Sequence, residues 1–86
     1  MREIIGESVS VVSLYDHRRR RFTPKKLSWN GREYPLTREG FHHPVREGRR
    51  LYHIFSMSDG ATSFRLKLDS ETLIWTLEEI SDGLSD

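Results

Sequence analysis

Along most of the chain, apolar and polar residues alternate with a period of two, as in strands with one buried and one solvated face. In "TSFRLKLDSETLIWTLEE", Phe64, Leu66 and Leu68 alternate with Ser63, Arg65 and Lys67. Further on, Leu73, Trp75 and Leu77 alternate with Ile74, Thr76 and Glu78. A tight turn at Ser70–Glu71 would pair Leu68 with Leu73, Leu66 with Trp75 and Phe64 with Leu77. These large apolar side chains would then share one face and fix the register.

A second hairpin is expected around Asn30–Gly31, because a type I′ turn needs φ > 0 at both central residues. It pairs Trp29 with Arg32, Ser28 with Glu33, Leu27 with Tyr34 and Lys25 with Leu36. Leu27, Trp29, Tyr34 and Leu36 therefore share a face, while Lys26 and Glu33 meet diagonally on the other. Trp29 and Tyr34 fall where core residues fall, so packing is their first expected role.

"SVSVVSLYD" alternates at Val9 and Val11, then changes phase to Val12 and Leu14, which predicts a β-bulge and a sharp bend. "RRLYHIFSMSDG" puts Leu51, His53, Phe55 and Met57 on one face, with Tyr52 and Ile54 on the other, and ends in an Asp59–Gly60 turn. Residues 38–48, "REGFHHPVREG", read as a loop from their glycine, proline and charge content. No run of helical length shows a 3.6-residue period. The predicted fold is all-β: a single small domain of five or six antiparallel strands in a strongly bent sheet or partly open barrel. Its ordered core should cover about 8–81, followed by an acidic tail at 82–86.

Composition narrows this picture. A chain of 86 residues supports one compact core, and 2 Trp, 3 Tyr and 4 Phe give that core its bulk. Without cysteine there are no disulfides and no thiolate metal sites. "MREIIGESVS" has no apolar run of signal-peptide length, and a cytoplasmic location is expected. Charge is segregated: residues 17–50 carry 11 Lys/Arg and 3 Glu, the rest 3 Lys/Arg and 10 Asp/Glu, giving +8 and −7, which sum to the net +1. Either a basic face stands apart from an acidic remainder, or strands distant in sequence neutralise one another across the sheet.

At "PKKLSWNGREYPL" the chain resembles an uncharacterised family of small bacterial β-domains, with the pattern Pro-x-x-hydrophobic-x-Trp-x-Gly-Arg-x-Tyr-x-hydrophobic. Pro24, Leu27, Trp29, Gly31, Arg32, Tyr34 and Leu36 match it. "LYHIF", "FRLKLD" and "WTLEEISDG" are similar to its later strands, so the resemblance covers about residues 9–83. Where many relatives have a Trp-Arg-Glu-like segment, this chain has Gly40-Phe41-His42-His43-Pro44. Some members stand alone and others are C-terminal to proteins related to translesion DNA polymerases. The resemblance therefore implies a β-domain in the neighbourhood of DNA metabolism.

The chemistry on offer is cationic and aromatic. Arg18, Arg19, Arg20 and Arg21, supported by Lys25, Lys26 and Arg32, could hold phosphates through guanidinium and ammonium contacts. Phe22 could stack on an unpaired base or close a hydrophobic rim. Arg46, Arg49 and Arg50 form a second cluster that a curled sheet could bring near the first. The alternative role for "RRRRF" is to shield a strand edge from aggregation. His17, His42, His43 and His53 lack HxH or HxxxH spacing, so no metal is expected, and His53 should be a partly buried strand residue with a hydrogen bond. There is no G-x-S-x-G, P-loop or G-x-G-x-x-G motif. Glu78 and Glu79 should face opposite sides of a strand, which is wrong for a shared acid–base site. No enzyme activity and no cofactor are expected. Two functions stay open: a nucleic-acid-binding accessory module (DNA or RNA), and a module that docks a protein partner or a second copy through a sheet edge.

Overall fold

Asn30 and Gly31 adopt φ values of 55° and 75° and close the type I′ hairpin that the sequence predicts. The computed structural model describes residues 2–82. On either side of this turn Trp29 pairs with Arg32, Ser28 with Glu33 and Leu27 with Tyr34. Beyond them the Leu36 N–H donates to the Lys25 carbonyl at 2.8 Å. Lys26 meets Glu33 at 3.4 Å on the solvent side.

The described residues form seven strands and no helix: β1 Arg2–Asp16, β2 Arg21–Trp29, β3 Arg32–Pro35, β4 Arg38–Glu47, β5 Arg50–Ser58, β6 Thr62–Asp69 and β7 Trp75–Asp82. They make one antiparallel sheet in the order β3-β2-β1-β7-β6-β5-β4. None is a helix long and apolar enough to cross a membrane. β1 is shared between two partners, β7 along Arg2–Val9 and β2 along Ser10–Asp16. Bending there folds the β2–β3 end back over the β5–β6 face. The sheet is not closed into a barrel, although Leu36 and Thr37 join its two edge strands, and the Thr37 N–H donates to Ser58 at 3.0 Å.

The fold-over makes the core. Leu27 and Leu36 come from the β2–β3 end and join Phe55, Met57, Phe64, Leu66, Leu68, Trp75 and Leu77 in one cluster. The Tyr34 ring lies 5.2 Å from that of Phe64, and Trp29 and Tyr34 are half-buried against the cluster. Each fully buried Leu, Phe or Met contributes about 1.5–3 kcal/mol, so most of the domain's cohesion lies in this double layer.

Two departures separate the seven strands from the expected five or six: one adds a strand and the other lengthens one. The predicted loop at 38–48 is strand β4, the outermost of the sheet. Its Gly40 sits at a bulge against Ser56, where an added Cβ would come within 3.1 Å of the Ser56 hydroxyl. Pro44 is tolerated because an outermost strand can lack one donor. Loop-like composition here is edge-strand composition. β1 likewise begins at Arg2 rather than near residue 8, and a register shift between Ile4 and Glu7 hides its alternation.

The β6–β7 register also departs from expectation. Leu68 pairs with Trp75, Leu66 with Leu77 and Phe64 with Ile80. Leu73 stands outside the sheet at φ 63° and is 65% exposed. The connection is a four-residue loop in which the Leu73 N–H donates to the Asp69 carbonyl (2.8 Å) and the Asp69 N–H to Ile74 (3.0 Å). A shift between Arg65 and Leu66 inserts Glu78, so Glu78 and Glu79 both reach cations on the solvent side instead of opposing each other. Glu78 meets Arg65 and Lys67, and Glu79 meets Arg2.

On β1 the irregularity falls between Val12 and Ser13, as the phase change implies, but the extra residue is Lys25 on β2. Val12 and Leu14 therefore stay outside the core, more than half exposed. On β5, Phe55 and Met57 are buried in the core as expected. Ile54, on the opposite face, is buried between its cross-strand partners His43 and Lys67. Asp82 ends β7, and the rest of the expected acidic tail lies outside the described residues.

Candidate nucleic-acid interface

Asp16 shapes the arginine run. Its Oδ1 accepts from the N–H groups of Arg18 (2.9 Å) and Arg19 (3.4 Å). Its carbonyl accepts from the Arg20 N–H at 2.7 Å, and Arg20 takes φ 55°. Asp69 repeats the arrangement, with Oδ1 accepting from Glu71 and Thr72 and the left-handed residue at Leu73. A short acceptor side chain bonding backbone N–H groups two and three residues on is what lets Asp open such loops.

His17, Arg18, Arg19 and Arg20 are thereby held in an exposed hairpin tip. The Arg19 side chain is 76% exposed and only 3.9 Å from Asp16. Arg18 and Arg20 have no ion-pair partner among the described residues. Arg21 leaves the run. It begins β2 and hydrogen-bonds Glu39 on β4, while its Nε is buried without a partner. The run is therefore two unpaired cations, one weakly held by Asp16 at the tip, and one that ties β2 to β4.

Below the tip, Tyr15 and Phe22 are cross-strand partners with ring centroids 5.0 Å apart and planes tilted by 57°. They are 51% and 39% exposed. The next pair inward on the same face is Ser13 with Pro24, and Pro24 is fully buried. This part of β1 has left β7, and this part of β2 has no β3 neighbour. The outer segment is thus a two-stranded ribbon, anchored by Pro24 and the Arg21–Glu39 contact.

The remaining expected cations scatter. Lys25 is exposed at the bulge, and Lys26 is engaged by Glu33. Arg32 is exposed beside the Asn30–Gly31 turn, at the far end of the nine-residue β2, about 25 Å along the strand from the arginine tip. Arg46 and Arg49 are exposed. Arg50 is committed to Asp69 at 2.7 Å and approaches Glu71 at 3.9 Å. The Asp69 hydrogen bond and charge, then Glu71, raise the Arg50 pKa above its usual value. Arg21 meets β4 at Glu39, whereas Arg50 pairs with Glu47 at the other end of that strand. The inner members of the two basic sets therefore lie toward opposite ends of β4.

His53 finds its hydrogen bond, and the partner is another histidine: His42 Nε2 and His53 Nδ1 lie 3.1 Å apart. The His42 ring stacks on Phe55 at 4.3 Å and 4°. Burial, then the neighbouring His53 and Arg21, lower the His42 pKa below its ordinary value. His43 stacks on Phe41, and His17 belongs to the exposed tip. Among the described residues no three His, Asp or Glu side chains converge as a metal-holding group.

Tyr15 is the site residue that sequence reasoning missed. Its position opposite Phe22 follows only once the loop between them is known to span His17–Arg20, and Asp16 is the signal for that length. No family model, no curated protein and no solved structure matches this chain.

Proposed function

We propose that this protein is a non-catalytic nucleic-acid-binding accessory module that grips phosphates with the tip of the β1–β2 hairpin. One observation carries the proposal: Arg18, Arg19 and Arg20 are held out on an Asp16-shaped loop beside the exposed Tyr15–Phe22 pair, and none of the three is used in packing. Guanidinium groups with little internal pairing are free to exchange their hydration and counterions for phosphate oxygens. The arginines stand at the ribbon's tip, whereas charges that guard against strand addition are spread along a strand edge. The Pro24–Leu36 motif resembles β-domains of which some stand alone and others follow proteins related to translesion DNA polymerases, which leans the same way.

The test is fluorescence anisotropy with labelled single-stranded DNA, duplex DNA and RNA at two salt concentrations. If each of the three arginines neutralises one phosphate, affinity should fall about 20- to 40-fold between about 50 and 200 mM salt. Replacing Arg18, Arg19 and Arg20 together with Ser should remove most of that salt dependence. Arg21 is left in place because it holds Glu39. No binding at low salt, or binding that the triple variant retains in full, would overturn the proposal.

Docking of a protein partner or a second copy is the alternative, favoured by β4, a ten-residue strand that is the outermost of the sheet among the described residues. The Gly40 bulge and Pro44 interrupt the row of groups that an added strand would need. That weakens β4 as a docking edge.

A further inference from the structure

We infer that the ligand of this hairpin is an unpaired nucleic-acid strand, whose bases stack on Tyr15 and Phe22 while Arg18, Arg19 and Arg20 hold the flanking phosphates. This rests on the nucleic-acid function proposed above and names the form of ligand.

On this face of the ribbon full burial stops at Pro24, so the next pair outward on the same face, Tyr15 with Phe22, is not needed to fill the core. Two aromatic rings stand there nonetheless. Their 57° tilt at 5.0 Å leaves each ring a face that the other does not cover. Half of Tyr15 and more than a third of Phe22 is open to solvent. In a duplex the faces of each base are occupied by its stacked neighbours, so rings on a protein surface find only the helix ends. In a single strand those faces are open, and a tilted ring pair offers separate platforms to two bases. The loop begins two residues after Tyr15, at His17, and ends just before Phe22's neighbour Arg21. Phosphates beside a base stacked on either ring therefore fall within the sweep of the tip arginines.

The experiment compares a labelled single strand with a blunt duplex of the same length at about 50 mM salt, a condition under which phosphate contacts are strong. The wild-type protein should prefer the single strand. Tyr15→Leu with Phe22→Leu keeps an apolar cross-strand pair but removes both π-faces. That double variant should lose about tenfold or more in single-strand affinity, with duplex affinity unchanged. Ring-proton shifts of Tyr15 and Phe22 on adding the single strand to wild-type protein give a second readout that needs no substitution. Unmoved rings, or a double variant that binds the single strand as tightly as wild type, would overturn the stacking while leaving phosphate capture standing. Equal wild-type affinity for both forms overturns it too. Binding to neither form defeats the stacking and the nucleic-acid function together.

Discussion

Phe64→Ala should cost the domain about 3–5 kcal/mol of stability, the range for truncating a buried aromatic. Phe64 is 1% exposed, pairs with Met57 on one side and Ile80 on the other, and carries the Tyr34 ring at 5.2 Å. It stands where the folded-over β2–β3 end meets the rest of the sheet. Truncation removes apolar contact from both layers and leaves a cavity that neither can fill without moving. Small domains have about 5–15 kcal/mol in hand. At roughly 4–8 °C per kcal/mol for a domain of this size, the melting temperature should fall by about 12–40 °C, read by circular dichroism. Phe64→Leu, which keeps most of the volume, should cost far less. A fall of under about 5 °C for the alanine variant would mean that the β2–β3 end is not seated on this ring.

The second large effect concerns Asp69 and acid. Burial alone would raise its pKa; the Glu71 N–H, the Arg50 guanidinium and the Thr72 N–H outweigh burial and bring it from 3.8 to about 2. A carboxylate whose pKa is depressed on folding stabilises the folded state fully above its unfolded pKa. It loses that contribution as pH falls through the folded value. The domain should therefore lose stability on acidification from about pH 4 towards pH 2. Asp69→Ala should melt several degrees lower at neutral pH, because Arg50 and two loop N–H groups lose their acceptor together. It should also flatten the acid limb of the melting-temperature profile. An alanine variant with an unchanged acid limb would show that other carboxylates govern it.

The parts of this fold that were legible are those where one or two residues dictate geometry. Asn30–Gly31 admits essentially one tight hairpin, and that hairpin fixes Leu27, Tyr34 and Leu36. The alternation from Phe64 to Leu68 marks a face that is buried wherever the strand goes. Legibility fails wherever one extra residue enters. A bulge at Lys25, another at Glu78 and two four-residue loops shift phase in ways that a period-two count cannot register. Alternation alone puts Leu73 in the core, because the length of the loop before it is not written in the period.

At the candidate site, the charge of the arginine run was plain, but its division was not. Arg21 and Arg50 are removed from the basic surface by Glu39 and Asp69, each 18 or 19 residues away in sequence. Only the fold says which of several carboxylates stands opposite.

β1 pairs with β2 along one half and with β7 along the other, and this has a consequence for synthesis. The β1–β2–β3 hairpins can form as soon as residues 2–35 are clear of the ribosome. The Arg2–Val9 half of β1 must wait for Trp75–Ser81. At 5–20 residues per second, the 66 positions between Asp16 and Asp82 correspond to a delay of about 3–13 s. Ribosome-bound chains stalled with β7 still in the exit tunnel should be cleaved readily by protease, and chains stalled with β7 outside should resist. Equal resistance in both would show that the first six strands fold without their closing partner. For those seconds Ile4 and Ile5 wait without the strand that will flank them. A nascent chain of this kind gains from whatever occupies that edge until its own last strand arrives.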